Sequence, residues 1–174
     1  MAPDGAVPLA ATRSRKARLF WPLLLVLLLA DCGTKQMAEE SLPLHTPQEV
    51  MGDVVRFTLG YNPGAAFGID VGAASRPVFT ILALVALVAL WFFYRATPAT
   101  QRLQVAALAL IAGGALGNLY DRLRGAPGVV DFIDIGIGSV RFWTFNIADA
   151  GITVGALLLA LTLWNEPAPE PAAD

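Results

Sequence analysis

The sequence predicts an all-α polytopic membrane protein, four transmembrane helices carrying a small extracytoplasmic β-sheet, and three observations predict it. Of its 174 residues 56% are hydrophobic and only 15% charged, against roughly 45–50% and about 25% in soluble domains. Mean hydropathy is +0.59, and a soluble chain this short has no interior for so much apolar surface. The apolar residues also gather into four segments, each long enough to cross about 30 Å of hydrocarbon at about 1.5 Å per residue.

The first segment covers 19–37, with an unbroken apolar stretch from Leu19 to Ala30. The second covers 77–94 and opens on Pro77, a residue suited to a first helical position; the third covers 103–120 and the fourth 147–164. Trp91, Tyr94, Tyr120 and Trp164 lie toward segment ends, where amphipathic rings favour the headgroup level. These segments divide the chain into a basic N-terminal tail (1–18), a membrane domain (19–165) and a C-terminal tail (166–174). Met1–Thr12 and Glu166–Asp174 are rich in Ala and Pro and are expected to be disordered.

Basic residues set the expected orientation. Arg13, Arg15, Lys16 and Arg18 precede the first span, and Arg95 and Arg102 flank the short loop between the second and third. Both regions are expected in the cytoplasm, as are both termini. The loop from Glu39 to Ser75 is acidic and belongs outside; that from Asp121 to Asn146 carries Arg122, Arg124 and Arg141, and its outside placement rests on parity. Within these outer loops Val54–Leu59, Val129–Ile133 and Ser139–Trp143 have strand-like composition. They predict a small sheet on the membrane surface.

Several functions are disfavoured at once. A net charge of −2 leaves no basic patch for nucleic acid. The single Cys32 allows no internal disulfide or cysteine metal cluster, and the single His45 weakens a multi-histidine zinc site or a Ser-His-Asp triad. No metal or cofactor is expected. Residues 13–32 imitate a lipoprotein leader ending at Leu29-Ala30-Asp31-Cys32. However, Asp31 is neither small nor neutral, and three more spans follow.

Ionisable groups at membrane depth are costly, and each is a candidate for function. Asp31 and Lys35 stand four apart on one helical face and can pair. Gly113 and Gly117 in the third span, and Gly151 and Gly155 in the fourth, have the small-xxx-small spacing that lets helices approach, which predicts contact between those helices. Asn118, Asp121 and Arg122 then share a face above the contact. Asn146 can cap the fourth helix with Asp149 at its third position, and the fifteen residues after Asp149 to the end of that span carry no charge.

Asp131, inside the apolar run Val129–Ile133, is a candidate partner for Asp149. Two carboxylates in a low-dielectric site share a proton. The ionised one can take a proton from water attacking a peptide carbonyl, while the protonated one polarises that carbonyl and later protonates the leaving amine. On spacing alone, Asp121 or Asp134 fills the second role equally well.

Five motifs resemble those of lipoprotein signal peptidase (signal peptidase II), in that family's order and across roughly residues 19–165. They are Asp31-x-x-Thr34-Lys35, Asn62-Pro63-Gly64-Ala65-Ala66-Phe67-Gly68, the run Gly113–Arg122, Val130-Asp131-Phe132 and Phe145-Asn146-Ile147-Ala148-Asp149. The resemblance implies an aspartic endopeptidase of the bacterial cytoplasmic membrane with its active site near the outer face. Its substrates would be prolipoproteins cut before a cysteine already bearing diacylglycerol. It implies Asp131 and Asp149 as the catalytic pair. Asn62, Asn118, Arg122 and Asn146 would support substrate or dyad, with Asp121 and Gly114 beside them and Asp31 and Lys35 as a supporting pair. The expected partners are these prolipoproteins and membrane lipid, and the enzyme is expected to be monomeric.

Three rivals fit less well. A transporter would want polar residues near the bilayer midplane, but here they cluster at one side. The Gly-x-Gly-Asp signature of another intramembrane aspartyl protease class is absent from the spans, and a serine-lysine peptidase using Lys35 would want a serine at helical spacing within its span, where none stands.

Overall fold

The computed structural model describes residues 9–64, 72–125 and 127–165. Four long helices form the bundle: α1 (Leu9–Ser41), α2 (Ser75–Ala96, after a short 3-10 turn at Gly72–Ala74), α3 (Arg102–Leu123) and α4 (Ile147–Trp164). All four are long and apolar enough to cross a membrane. The fourth span has the bounds expected from sequence. The first helix starts ten residues before Leu19, so Leu9–Thr12, expected to be disordered, are helical. It also runs four residues past Met37, because the polar residues after it still find partners along the helix, as when Gln36 donates to Glu40 at 2.9 Å.

The helices take different roles according to side-chain size. In α3, Ala107, Ala109, Ala112, Gly113, Gly114 and Gly117 are all buried, and this small-residue helix is the centre of the bundle. Val26 and Leu29 on α1, Ile81 and Val85 on α2, and Leu157 and Leu161 on α4 are exposed, the surface a bilayer would cover. The third and fourth helices pack together as the glycine spacing predicts, with Gly155 and Gly117 in the contact, Gly114 added to it, and Gly113 and Gly151 turned to α1. A side chain at Gly114 would run into the Ala148 carbonyl of α4, and one at Gly155 would come within 2.8 Å of the Ala107 carbonyl of α3. Gly113 and Gly151 instead face Leu24 and Leu27 of α1. The small-residue stripes therefore seat two neighbours on α3.

Beside the helix ends lies a four-stranded antiparallel sheet of β1 (Gln48–Met51), β2 (Val55–Asn62), β3 (Val129–Ile137) and β4 (Val140–Arg141), in sequence order. All three strand-like stretches lie in it, β4 being only the centre of the third. Its β1, Gln48-Glu49-Val50-Met51, is short and exposed throughout and carries no strand signal. The central pairing joins segments more than sixty residues apart, with Gly60 opposite Asp131, Tyr61 opposite Val130 and Asn62 opposite Val129. A register shift between Phe57 and Gly60 bends β2 just before these residues. Leu59, Val130 and Phe132 bury one face against Ala38 at the end of α1. This packing fixes the sheet to the bundle where α1 and α3 end and α4 begins.

Candidate active site

The first turn of α4 is held by two side chains from different parts of the chain. Asn146 is its N-cap: the Asn146 Oδ1 accepts from the Asp149 N–H at 2.9 Å and Asp149 Oδ2 accepts from the Asn146 N–H at 3.2 Å, a complete capping box. The next free helix donor, the Ala148 N–H, is taken by Asp31 Oδ1 of α1 at 2.9 Å. Gly117 faces Asp31, and a side chain there would occupy the carboxylate's position. The expected cap is present, and it also aims Asp149.

Asp131 is the third residue of β3 and is 3% exposed. Directly opposite it on β2 is Gly60, with no side chain to cover it. Asn62, diagonal to it on the same face, donates to Asp131 Oδ2 at 3.2 Å, and Asn146 donates to its Oδ1 at 2.7 Å. Asn118 of α3 then completes the bridge: its Nδ2 donates to Asp149 Oδ1 at 2.8 Å, and its Oδ1 accepts from Asn146 at 3.2 Å and Lys35 at 2.9 Å. Two carboxylates are thus joined through two amides.

Lys35, 2% exposed, makes ion pairs of 2.8 Å with both Asp31 and Asp121. The predicted Asp31–Lys35 pair exists, and it also touches the site through Asn118. Separating such a buried group from its partners would cost about 3–5 kcal/mol. Asp121 also accepts from Arg124 Nε at 3.0 Å and from the Val130 N–H at 3.2 Å, which ties β3 to α3. Arg122 stands one turn after Asn118 on α3. Its guanidinium donates to the Asn118 carbonyl at 3.1 Å and the Gly64 carbonyl at 2.7 Å. Asp134, the other carboxylate that spacing allowed, is bound by Arg141 at 2.6 Å and Thr58 at 3.1 Å.

Asp131 and Asp149 open onto one cavity of about 600 Å³, while Asp121 and Asp134 do not line it. Its walls are Thr58–Asn62 of β2, Phe142–Phe145, and Ala150, Thr153 and Val154 of α4, so it runs from the sheet onto the outer surface of the bundle. His45, which carries no motif, also lines it, with φ 56°. Burial first, and then the negative charge of Asp149, push the Asp131 carboxyl up to about 7, against the opposing hydrogen bonds of Asn62 and Asn146. Ala65–Gly68 of the second motif lie outside the described residues.

Four helices of spanning length with a sheet fastened to one end of the bundle define a protein built to cross a membrane several times, with two carboxylates opening onto one cavity beside the sheet. The signal peptidase (SPase) II family model matches residues 23–165, and the chain belongs to that family. It is 40% identical over 154 residues to the lipoprotein signal peptidase of Hydrogenovibrio crunogenus, covering 87% of this chain and 88% of that protein. It is 43% identical over 156 residues to the lipoprotein signal peptidase of Ectopseudomonas mendocina, covering 87% and 92%. Two solved bacterial membrane enzyme structures superpose with TM-scores of 0.75 and 0.73, at 26% and 28% identity. They cover 95% and 91% of this chain and 94% and 96% of their own. Family membership makes this chain a multi-pass bacterial membrane protease that removes signal peptides.

Proposed function

We propose that the protein is an aspartic endopeptidase that cuts diacylglyceryl-modified prolipoproteins immediately before the modified cysteine, with Asp131 and Asp149 as its catalytic pair. The observation that carries this reading is the shared cavity, in which two carboxylates joined through Asn118 and Asn146 meet a groove open along α4.

The environments divide the roles. Asp131, buried and raised to about 7, holds the shared proton. Asp149 accepts two N–H donors at the positive end of α4 and suits the ionised role. Asp149 takes a proton from water as its oxygen attacks the scissile carbonyl carbon, and Asp131 gives its proton to the carbonyl oxygen. As the C–N bond breaks, the proton on Asp149 passes to the departing cysteine amine, and one from the diol returns to Asp131. Asn62 lines the cavity and can meet substrate backbone, while Arg122 holds the Gly64 carbonyl two residues further along the chain. The groove along Ala150, Thr153 and Val154 would take acyl chains from the bilayer. Membranes containing the protein, incubated with a diacylglyceryl-modified prolipoprotein, should release its signal peptide. No release would refute the reading.

The chemistry also requires the cavity to face the outer leaflet of the cytoplasmic membrane. At the opposite end of the bundle Lys16 donates to the Tyr94 and Thr97 carbonyls, close to Arg95, and this basic end would be cytoplasmic. A reporter active only outside the cytoplasm should therefore work when fused after residues 45–70 or 125–140 and fail after 97–100. A cytoplasmic signal from the 125–140 fusions would place Asp131 on the wrong side.

A further inference from the structure

Glu39, Tyr61 and Arg124 belong to no motif, yet they form a polar strap beside the dyad. The Tyr61 hydroxyl donates to Glu39 Oε1 at 3.1 Å, Arg124 donates to Glu39 Oε2 at 2.8 Å, and the same guanidinium donates to Asp121 Oδ1 at 3.0 Å. Glu39 and Arg124 are 21% and 29% exposed, so these pairs add little stability by themselves. Their arrangement is more informative. Asp121 grips β3 at Val130, one residue before Asp131. Glu39 grips β2 at Tyr61, one residue before Asn62. Tyr61 and Val130 are also cross-strand partners. Two helix carboxylates bridged by Arg124 therefore clamp both strands next to the residues that meet at Asp131.

This end of β2 needs an anchor. A register shift interrupts the ladder between Phe57 and Gly60, and Asn62 is the last residue of the strand. Burial, followed by the hydrogen bond to Glu39, holds the Tyr61 phenol above its ordinary range, so it remains a donor. We infer that Glu39 is a positioning residue that, through the Tyr61 hydroxyl, sets the end of β2 so that the Asn62 amide meets Asp131. The inference rests on the dyad reading above.

A double-mutant cycle on the full-length protein, with diacylglyceryl-modified prolipoprotein as substrate, tests it. Tyr61→Phe removes only the hydroxyl and should lower kcat about fivefold to tenfold with KM changed less than about twofold, the scale of one misaligned hydrogen bond. Because the effect runs through Asn62, the Tyr61→Phe/Asn62→Ala double variant should turn over as fast as Asn62→Ala alone. Glu39→Ala should match Tyr61→Phe, and Glu39→Gln, which keeps an acceptor for the hydroxyl, should recover most of the rate. An unchanged kcat in Tyr61→Phe, or losses that multiply in the double variant, would overturn the positioning role while cleavage by the parent protein upheld the dyad. A parent protein that leaves the modified substrate uncut refutes the dyad reading itself.

Discussion

Asp131→Asn and Asp149→Asn should each reduce signal-peptide release by roughly three to four orders of magnitude, because an amide cannot cycle a proton. Both variants should still insert and accumulate. An asparagine at 149 keeps an oxygen for the Asn146 N–H, so the capping box of α4 survives. At 131 the change removes a buried carboxyl that Asp149 repels. The sign of that effect can be checked. Folded Asp131 keeps its proton up to about 7, whereas an unperturbed aspartate releases it near 3.8. Folding therefore takes up a proton between these values, and this group's contribution to stability falls as pH rises through that window. Thermal unfolding of Asp131→Asn should lack this decline, so its advantage over the parent should grow from about pH 4 to about pH 7. Activity needs one proton on the pair and should fall as pH rises above about 7. Normal turnover in either variant would remove the dyad. Asp121→Asn serves as contrast: it weakens the ion pairs to Lys35 and Arg124 and should lower the yield of folded protein before it lowers the rate per folded molecule.

What could be read from the sequence follows from how local each signal is. Four spans are legible because lipid demands long apolar runs. The capping of α4 is legible because Asn146 and Asp149 are three residues apart and both partners lie within one turn. The Asp31–Lys35 pair is legible for the same reason. Choosing Asp131 over Asp121 or Asp134 as the neighbour of Asp149 is not a local matter. It depends on Lys35, Arg124 and Arg141 already holding the other two carboxylates, and the Lys35–Asp121 pair joins helices far apart in the chain. Without the resemblance the choice stays open. The same pairs explain why the loop after α3 defies the charge rule. Arg124 and Arg141 are matched by Asp121, Glu39 and Asp134, and Arg122 is spent on carbonyls, so little free positive charge remains there. One strand is not legible because β1 is short and fully exposed, and the pairing is not legible because β2 finds its partner across two intervening helices.

A prolipoprotein whose cysteine carries no diacylglycerol should be cleaved at least about a hundredfold more slowly than the modified one, measured in the same membranes. The expectation comes from the shape of the cavity. Asp131 and Asp149 are fixed by Asn62, Asn118 and Asn146, so the scissile carbonyl has to be brought to them. Part of the wall is sheet, but Ala150, Thr153 and Val154 extend it along a helix whose neighbouring residues Leu157 and Leu161 are exposed as lipid-facing residues are. Two acyl chains lying in that direction contribute about 0.8 kcal/mol for each buried CH₂, which sets the depth of the cysteine far more firmly than a short polar side chain can. The reacting atoms must approach to about 3–3.5 Å, and an error near 1 Å can cost on the order of a hundredfold in rate. The missing chains should therefore lower kcat as well as weaken binding, and saturating substrate should not restore the rate. Equal rates on the two substrates would mean that the groove along α4 does not read the lipid, and the proposed specificity would fail even with both aspartates essential.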